Sequence, residues 1–130
     1  MLSSLFRWDL QLFRTASKKG YNVSAAVMNR QGRLTAFVCN PMASPMTSEI
    51  AQGKAYTSAI TQSSTGNIDI ETTQALGYSD RVVPTQGGLP ISAGGRFFDS
   101  IGISGADSPT DEEWAQAGID AVTDDLEFAE

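Results

Sequence analysis

A chain of 130 residues, 41% apolar and 18% charged, has the length and composition of one folded domain, residues 1–130, with no room for a second core. It contains no histidine, which removes every Ser-His or Cys-His nucleophilic pair, any imidazole proton shuttle and the commonest ligand for zinc, copper and haem iron. Cys39 is the single cysteine, so neither an intrachain disulfide nor a cysteine-based zinc site can form, and no metal ligands are assigned.

The net charge of −6 is unevenly placed: residues 97–130 contain ten acids and no base, and the nine Lys/Arg all lie before them. A solvated acidic helix and tail accounts for this; contact with the basic half of a second subunit is the alternative. Nucleic acid is not expected as a partner, because the basic residues are scattered and no aromatic-basic stripe accompanies them. No membrane is expected either, since no apolar run approaches the ~18–20 residues that cross a bilayer. The first twenty residues lack the continuous apolar stretch and small-residue cleavage site of a secretory signal, and a cytoplasmic location is the expectation.

In chain order, Leu2, Leu5, Phe6, Leu10, Phe13 and Ala16 recur at helical spacing and predict a helix over 3–19, stopped by Gly20. Trp8 and Leu12 widen its apolar arc to roughly 200°, broader than one core-facing stripe requires, and Asp9 falls near its middle. Two short strands follow, Val23–Met28 and Arg33–Val38, joined by the hairpin signal Asn29-Arg30-Gln31-Gly32. After the loop of Asn40-Pro41 and Ser44-Pro45, a second helix runs from about Thr47 to Gln62, and a short one is expected near 70–76, ended by Gly77. Thr85 to Gly88 opens onto a strand at Leu89–Ser92, and Gly94-Gly95 turns the chain into a longer strand, Arg96–Ser104. Ser108 as N-cap and Pro109 at the first helical position start the last helix, with Asp111, Glu112 and Glu113 at its positive dipole end. Trp114, Ala117, Gly118, Ala121 and Val122 are its expected buried face. The order predicts an α+β domain, one antiparallel sheet with helices packed on it.

Gly87-Gly88-Leu89-Pro90-Ile91, then Ser100-Ile101-Gly102-Ile103-Ser104-Gly105-Ala106, then Asp111-Glu112, together resemble the signature of the GlcG/HbpS-like family, which also forms the C-terminal domain of PduO-type cobalamin adenosyltransferases. Ile50-Ala51-Gln52-Gly53-Lys54-Ala55-Tyr56-Thr57 and Gly32-Arg33-Leu34-Thr35-Ala36-Phe37 are similar to its helix and strand motifs, so the resemblance spans nearly the whole chain in order. It implies a profilin-like central antiparallel sheet of about five strands flanked by helices, assembly into dimers or larger rings, and haem or corrinoid-related ligands. The chain departs from the family pattern at Asn29, where an Asp is usual, and at Cys39-Asn40-Pro41-Met42-Ala43, where an Arg and Asp residues are usual. Haem ligation by histidine is excluded outright.

Several residues suggest a site. Gly87 and Gly88 permit close backbone approach, so their N–H groups could cradle a carboxylate or phosphate; a tight start to the strand Leu89-Pro90 is the plainer explanation. Lys54, with Thr57 beside it on a small-residue helix face, reads as a counter-ion for an acidic ligand, as an amine of lowered pKa, or as a lysine reaching out of a packed helix. Arg96 could pair an acidic ligand or cap a sheet edge, and Met42 with Met46 could line an apolar pocket or fill a gap. Tyr56 and Cys39 read as buried, Asp107 and Asp111 as helix-start residues.

The expected function is binding of a small organic acid or planar cofactor-like ligand, contacted by Lys54, Thr57, Gly87, Gly88, Leu89, Pro90, Arg96 and Met42 and seated near a subunit interface of a homo-oligomer. The first alternative is an enzyme acting on a small acid, a lyase, isomerase or hydrolase with Lys54 or an Asp as catalytic base and the Gly87-Gly88 amides stabilising an oxyanion. The second is an oligomeric structural or interaction subunit.

Overall fold

The computed structural model describes residues 18–128. The helix expected over 3–19, and Asp9 within it, lie almost wholly outside the described residues. The elements are β1 (Ser24–Asn29), β2 (Leu34–Cys39), α1 (Pro45–Thr61), a 3-10 turn (Thr65–Asn67), α2 (Ile70–Ala75), β3 (Gly88–Ala93), β4 (Arg96–Ser104) and α3 (Ser108–Phe128). The strands form one antiparallel sheet in the order β2-β1-β4-β3.

Local chemistry sets the boundaries. Asn29 turns the first hairpin with its own side chain, whose Oδ1 accepts from the Gln31 and Arg33 amides at 2.9 and 3.1 Å, while Gly32 takes φ 75°. Ser44 caps α1, its Oγ accepting from the Met46 amide at 3.2 Å, with Pro45 in the first turn. Helix α1 therefore begins two residues before the expected Thr47. At α3 the cap is Asp107 rather than Ser108: its carboxylate accepts from the Thr110 amide at 3.2 Å and the Thr110 hydroxyl at 2.7 Å. Those bonds, the hydroxyl's first, hold the Asp107 carboxyl below its ordinary pKa.

The sheet has four strands among the described residues, not about five. The stretch between α2 and β3 forms no strand and crosses over α1, where the Val83 amide donates to the Thr57 hydroxyl at 2.8 Å.

Alternation along the strands divides the core in two. On one face Ala26 and Met28 meet Ala51, Ala55 and Ala59 of α1. The alanine stripe lets the helix lie almost on the backbone of β4: the Ser100 hydroxyl donates to the Ala55 carbonyl at 2.6 Å, and a Cβ at Gly102 would collide with the Ala51 carbonyl oxygen. Ile60, near the end of the same helix, is exposed. On the opposite face Ala25, Val27, Leu89, Ile91, Ile101 and Ile103 pack with Trp114, Ala115 and Ile119 of α3, and Tyr21 meets the Trp114 ring edge-on at 5.3 Å. Ala117, expected in that buried face, is exposed, and the side chains of Ala121 and Val122 lie outside the described residues.

Candidate functional site

Lys54 sits just past the middle of α1, between the helix and the sheet, and is 2% exposed. Its ammonium donates to the Asp111 carboxylate at 3.0 Å and to the Ile103 carbonyl at 2.9 Å. Asp111 also accepts from the Ala106 amide at 3.0 Å. Burial pushes the Asp111 carboxyl above its ordinary value, and Lys54 and the Ala106 N–H oppose that shift. The acid that the sequence suggested Lys54 would meet in a ligand is thus one of the chain's own. A buried amine already bonded to a carboxylate and a carbonyl is a poor general base for an incoming substrate.

The glycine pair has a matching explanation. Gly87 has φ 127°, and a Cβ there would stand 2.6 Å from Lys54 Nζ and 2.8 Å from the Ile103 carbonyl oxygen. Gly88 lies as close to the backbone of Lys54, with a hypothetical Cβ 2.5 Å from the Lys54 carbonyl oxygen. The Gly88 amide donates to the Thr65 hydroxyl at 3.0 Å, so it is not an open oxyanion donor. Glu112 completes the tie, accepting from Ser64 Oγ at 3.2 Å and from Gln86 Nε2 at 2.7 Å. The residues Lys54, Gly87-Gly88 and Asp111-Glu112 form one polar clasp joining α1, the start of β3 and the first turn of α3.

The remaining expected site residues do not converge there. Thr57 is buried, its hydroxyl donating to the Gly53 carbonyl at 2.7 Å and accepting from Val83. Leu89 is a core residue, and Pro90 sits on β3, an edge strand that tolerates the missing N–H. Arg96 is exposed beside the β3–β4 turn, its guanidinium 5.2 Å above the Phe98 ring, and six residues of strand, roughly 20 Å, separate it from Gly102 under Lys54. Met42 and Met46, expected around a pocket, are 77% and 62% exposed. Cys39, expected buried, is exposed because β2 is the other edge strand.

An open hollow lies instead on the outer side of α1. The crossing segment is fixed there by the Val83–Thr57 bond and by Gly53, where any side chain would strike Val83. This puts the Arg81 guanidinium 3.7 Å above the Tyr56 ring, with Nη2 donating to the Gly32 carbonyl at 3.4 Å. The hollow measures about 350 Å³ and is lined by Met28, Glu49, Gln52, Tyr56, Asp80 and Arg81 among others. A second recess, which adds Gln31, Arg33 and Leu34, shares Met28, Gln52 and Arg81 with it, so the two form one groove. Sequence reading placed Tyr56 in the core and assigned nothing to Arg81. Arg81 lies in an irregular segment, and its partners are 25 and 49 residues away, so no local pattern marks it.

One more buried acid stands outside these groups. Asp99, on β4 opposite Asn29 and Ile91, is 6% exposed and has no hydrogen-bond or ion partner for its carboxylate among the described residues. Burial pushes its pKa up. No three acids or thiols cluster as a metal-holding group, and no helix is long and apolar enough to cross a membrane, among the described residues.

Comparison with known proteins agrees with the architecture. A double mutant of Streptomyces reticuli HbpS superposes with a TM-score of 0.83 at 28% identity, over 94% of this chain and 86% of that one. PduOC, crystallised as a heme complex, gives 0.77 at 25% identity over 92% of this chain and 90% of its own. Klebsiella pneumoniae ORFY, 19% identical, gives 0.82 over 93% and 88% and shares the fold. No curated protein matches the chain. The family model described as haem degrading protein HbpS-like matches residues 10–120, and the chain belongs to that family.

Proposed function

We propose that this chain is a small-ligand-binding domain that takes a small organic acid or a planar cofactor-like ligand on the outer side of α1. The supporting observation is its likeness to PduOC, a relative whose structure contains heme, at 25% identity over 92% of this chain. The clasp of Lys54, Gly87, Gly88 and Thr65 serves this reading as the frame that fixes one wall, α1, rather than as ligand contacts. Thr57 anchors the other wall through Val83.

The side chains lining this groove do not suit axial ligation of haem iron. There is no imidazole, the Lys54 amine is tied to Asp111, Cys39 stands on an outer strand, Tyr56 lies beneath Arg81 and Met28 is 3% exposed. A planar ligand would be held by its ring face and its acid groups, not through a metal. Assembly into dimers or larger rings belongs to the same reading.

Native mass spectrometry of protein purified from cells tests it. The expected result is an adduct present in the native spectrum and lost on denaturation, with no histidine-type Soret band when haemin is added. A bare chain that retains neither haemin nor any of a panel of small carboxylates on dialysis would overturn it. Sedimentation velocity at micromolar concentration is expected to show species heavier than one chain.

A further inference from the structure

The groove beside α1 contains charges of both signs that do not neutralise one another. Arg81 and Arg33 line it with Glu49 and Asp80, yet no ion pair among the described residues joins these four side chains to one another. Arg81 is oriented by the Tyr56 ring and by one bond to the Gly32 carbonyl. A guanidinium carries five N–H donors in a rigid fork, so most of that fork remains for a ligand. The amides of Gln52 and Gln31 lie along the same groove. A phosphate or polycarboxylate would gain from the two arginines but meet repulsion from Glu49 and Asp80. A molecule carrying one carboxylate and one ammonium complements both sets, the carboxylate on the fork of Arg81 and the ammonium toward the acids. At about 350 Å³ the hollow matches a small molecule rather than a peptide.

Resting on the ligand-binding reading above, the geometry points to the Arg81–Tyr56 groove as a site for a small zwitterion of the α-amino-acid type, with Arg81 as its carboxylate receptor. The probes are the common amino acids, titrated while the Arg81 Nε–H signal is followed by NMR. For the tightest of them, the deaminated acid and the decarboxylated amine are titrated next, with inorganic phosphate alongside. The expected result is saturable movement of the Arg81 signal and at least tenfold weaker binding of both truncated probes and of phosphate. Arg81→Gln should weaken the amino acid at least tenfold, and Arg81→Lys, which keeps the charge but loses the fork, nearly as much. An unchanged circular dichroism spectrum confirms that these variants fold. Absence of any saturable shift, phosphate binding as tightly as the amino acid, or undiminished affinity in Arg81→Gln would each overturn the inference. If haemin or a co-purified acid is still retained in that case, the ligand-binding reading stands and only the zwitterion site falls.

Discussion

Lys54 and Asp111 are 57 residues apart in sequence and each is almost wholly excluded from water, so their pairing is a matter of desolvation as much as attraction. Removing one partner leaves the other's charge buried alone. Lys54→Ala should therefore cost about 3–5 kcal/mol of stability in urea unfolding. Lys54→Met combined with Asp111→Leu should recover most of that loss, because neither charge of the pair is then left buried without its partner. Asp99 presents the opposite case, a carboxyl buried without compensation. Its folded pKa lies above the ordinary 3.8, so the folded chain holds that proton more tightly than the unfolded one. The stability this confers is complete below the unfolded value and is lost as pH rises through the folded one. Asp99→Asn should be more stable than the parent at neutral pH, and the difference should shrink as the solution is acidified. Urea midpoints of the two proteins across that range measure it.

The meeting of α1 with β4 depends on small residues on both sides. The Ser100 hydroxyl reaches the Ala55 carbonyl, and Gly102 leaves no room for a methyl group against Ala51. Gly102→Ala should force the helix off the strand and cost about 1–3 kcal/mol in the same assay. Much at this scale was legible from residue order. Both hairpins, all three described helices and the four strands fall within a few residues of their expected positions, since Asn29, Ser44, Asp69 and Gly94 act on immediate neighbours. The site was less legible. Lys54, Gly87 and Gly88 were conspicuous, but the sequence could not show that the lysine's partner is Asp111 or that Thr65 occupies the Gly88 amide, because those contacts span 57 and 23 residues. The surfacing of Cys39 reflects β2 lying at an edge, which is a property of strand order and not of the strand's own residues, and Met42 lies in the loop that follows that strand.

For the molecule as a whole, charge is polarised along the chain: ten acids and no base follow residue 96. Repulsion among them opposes compaction, and exposed charges respond to salt whereas the buried pair does not. Raising ionic strength from ~10 to ~150 mM shortens the screening length from about 30 to about 8 Å. The urea midpoint should rise over that interval, and the increment should be the same in the Lys54→Met, Asp111→Leu protein.

The clasp also fixes when the protein can become itself. Until the residues around Asp111 have been synthesised, Lys54 has no carboxylate to meet, Glu112 cannot bridge Ser64 and Gln86, and the sheet face that receives Trp114 is bare. A nascent chain emerging from the ribosome would hold an unpaired ammonium against its own hydrophobic interior. Folding is thereby deferred to the arrival of the last helix, and partial products of translation are left open to proteases. A chain truncated after Ala106 should be digested as an unfolded polypeptide, while the full chain resists.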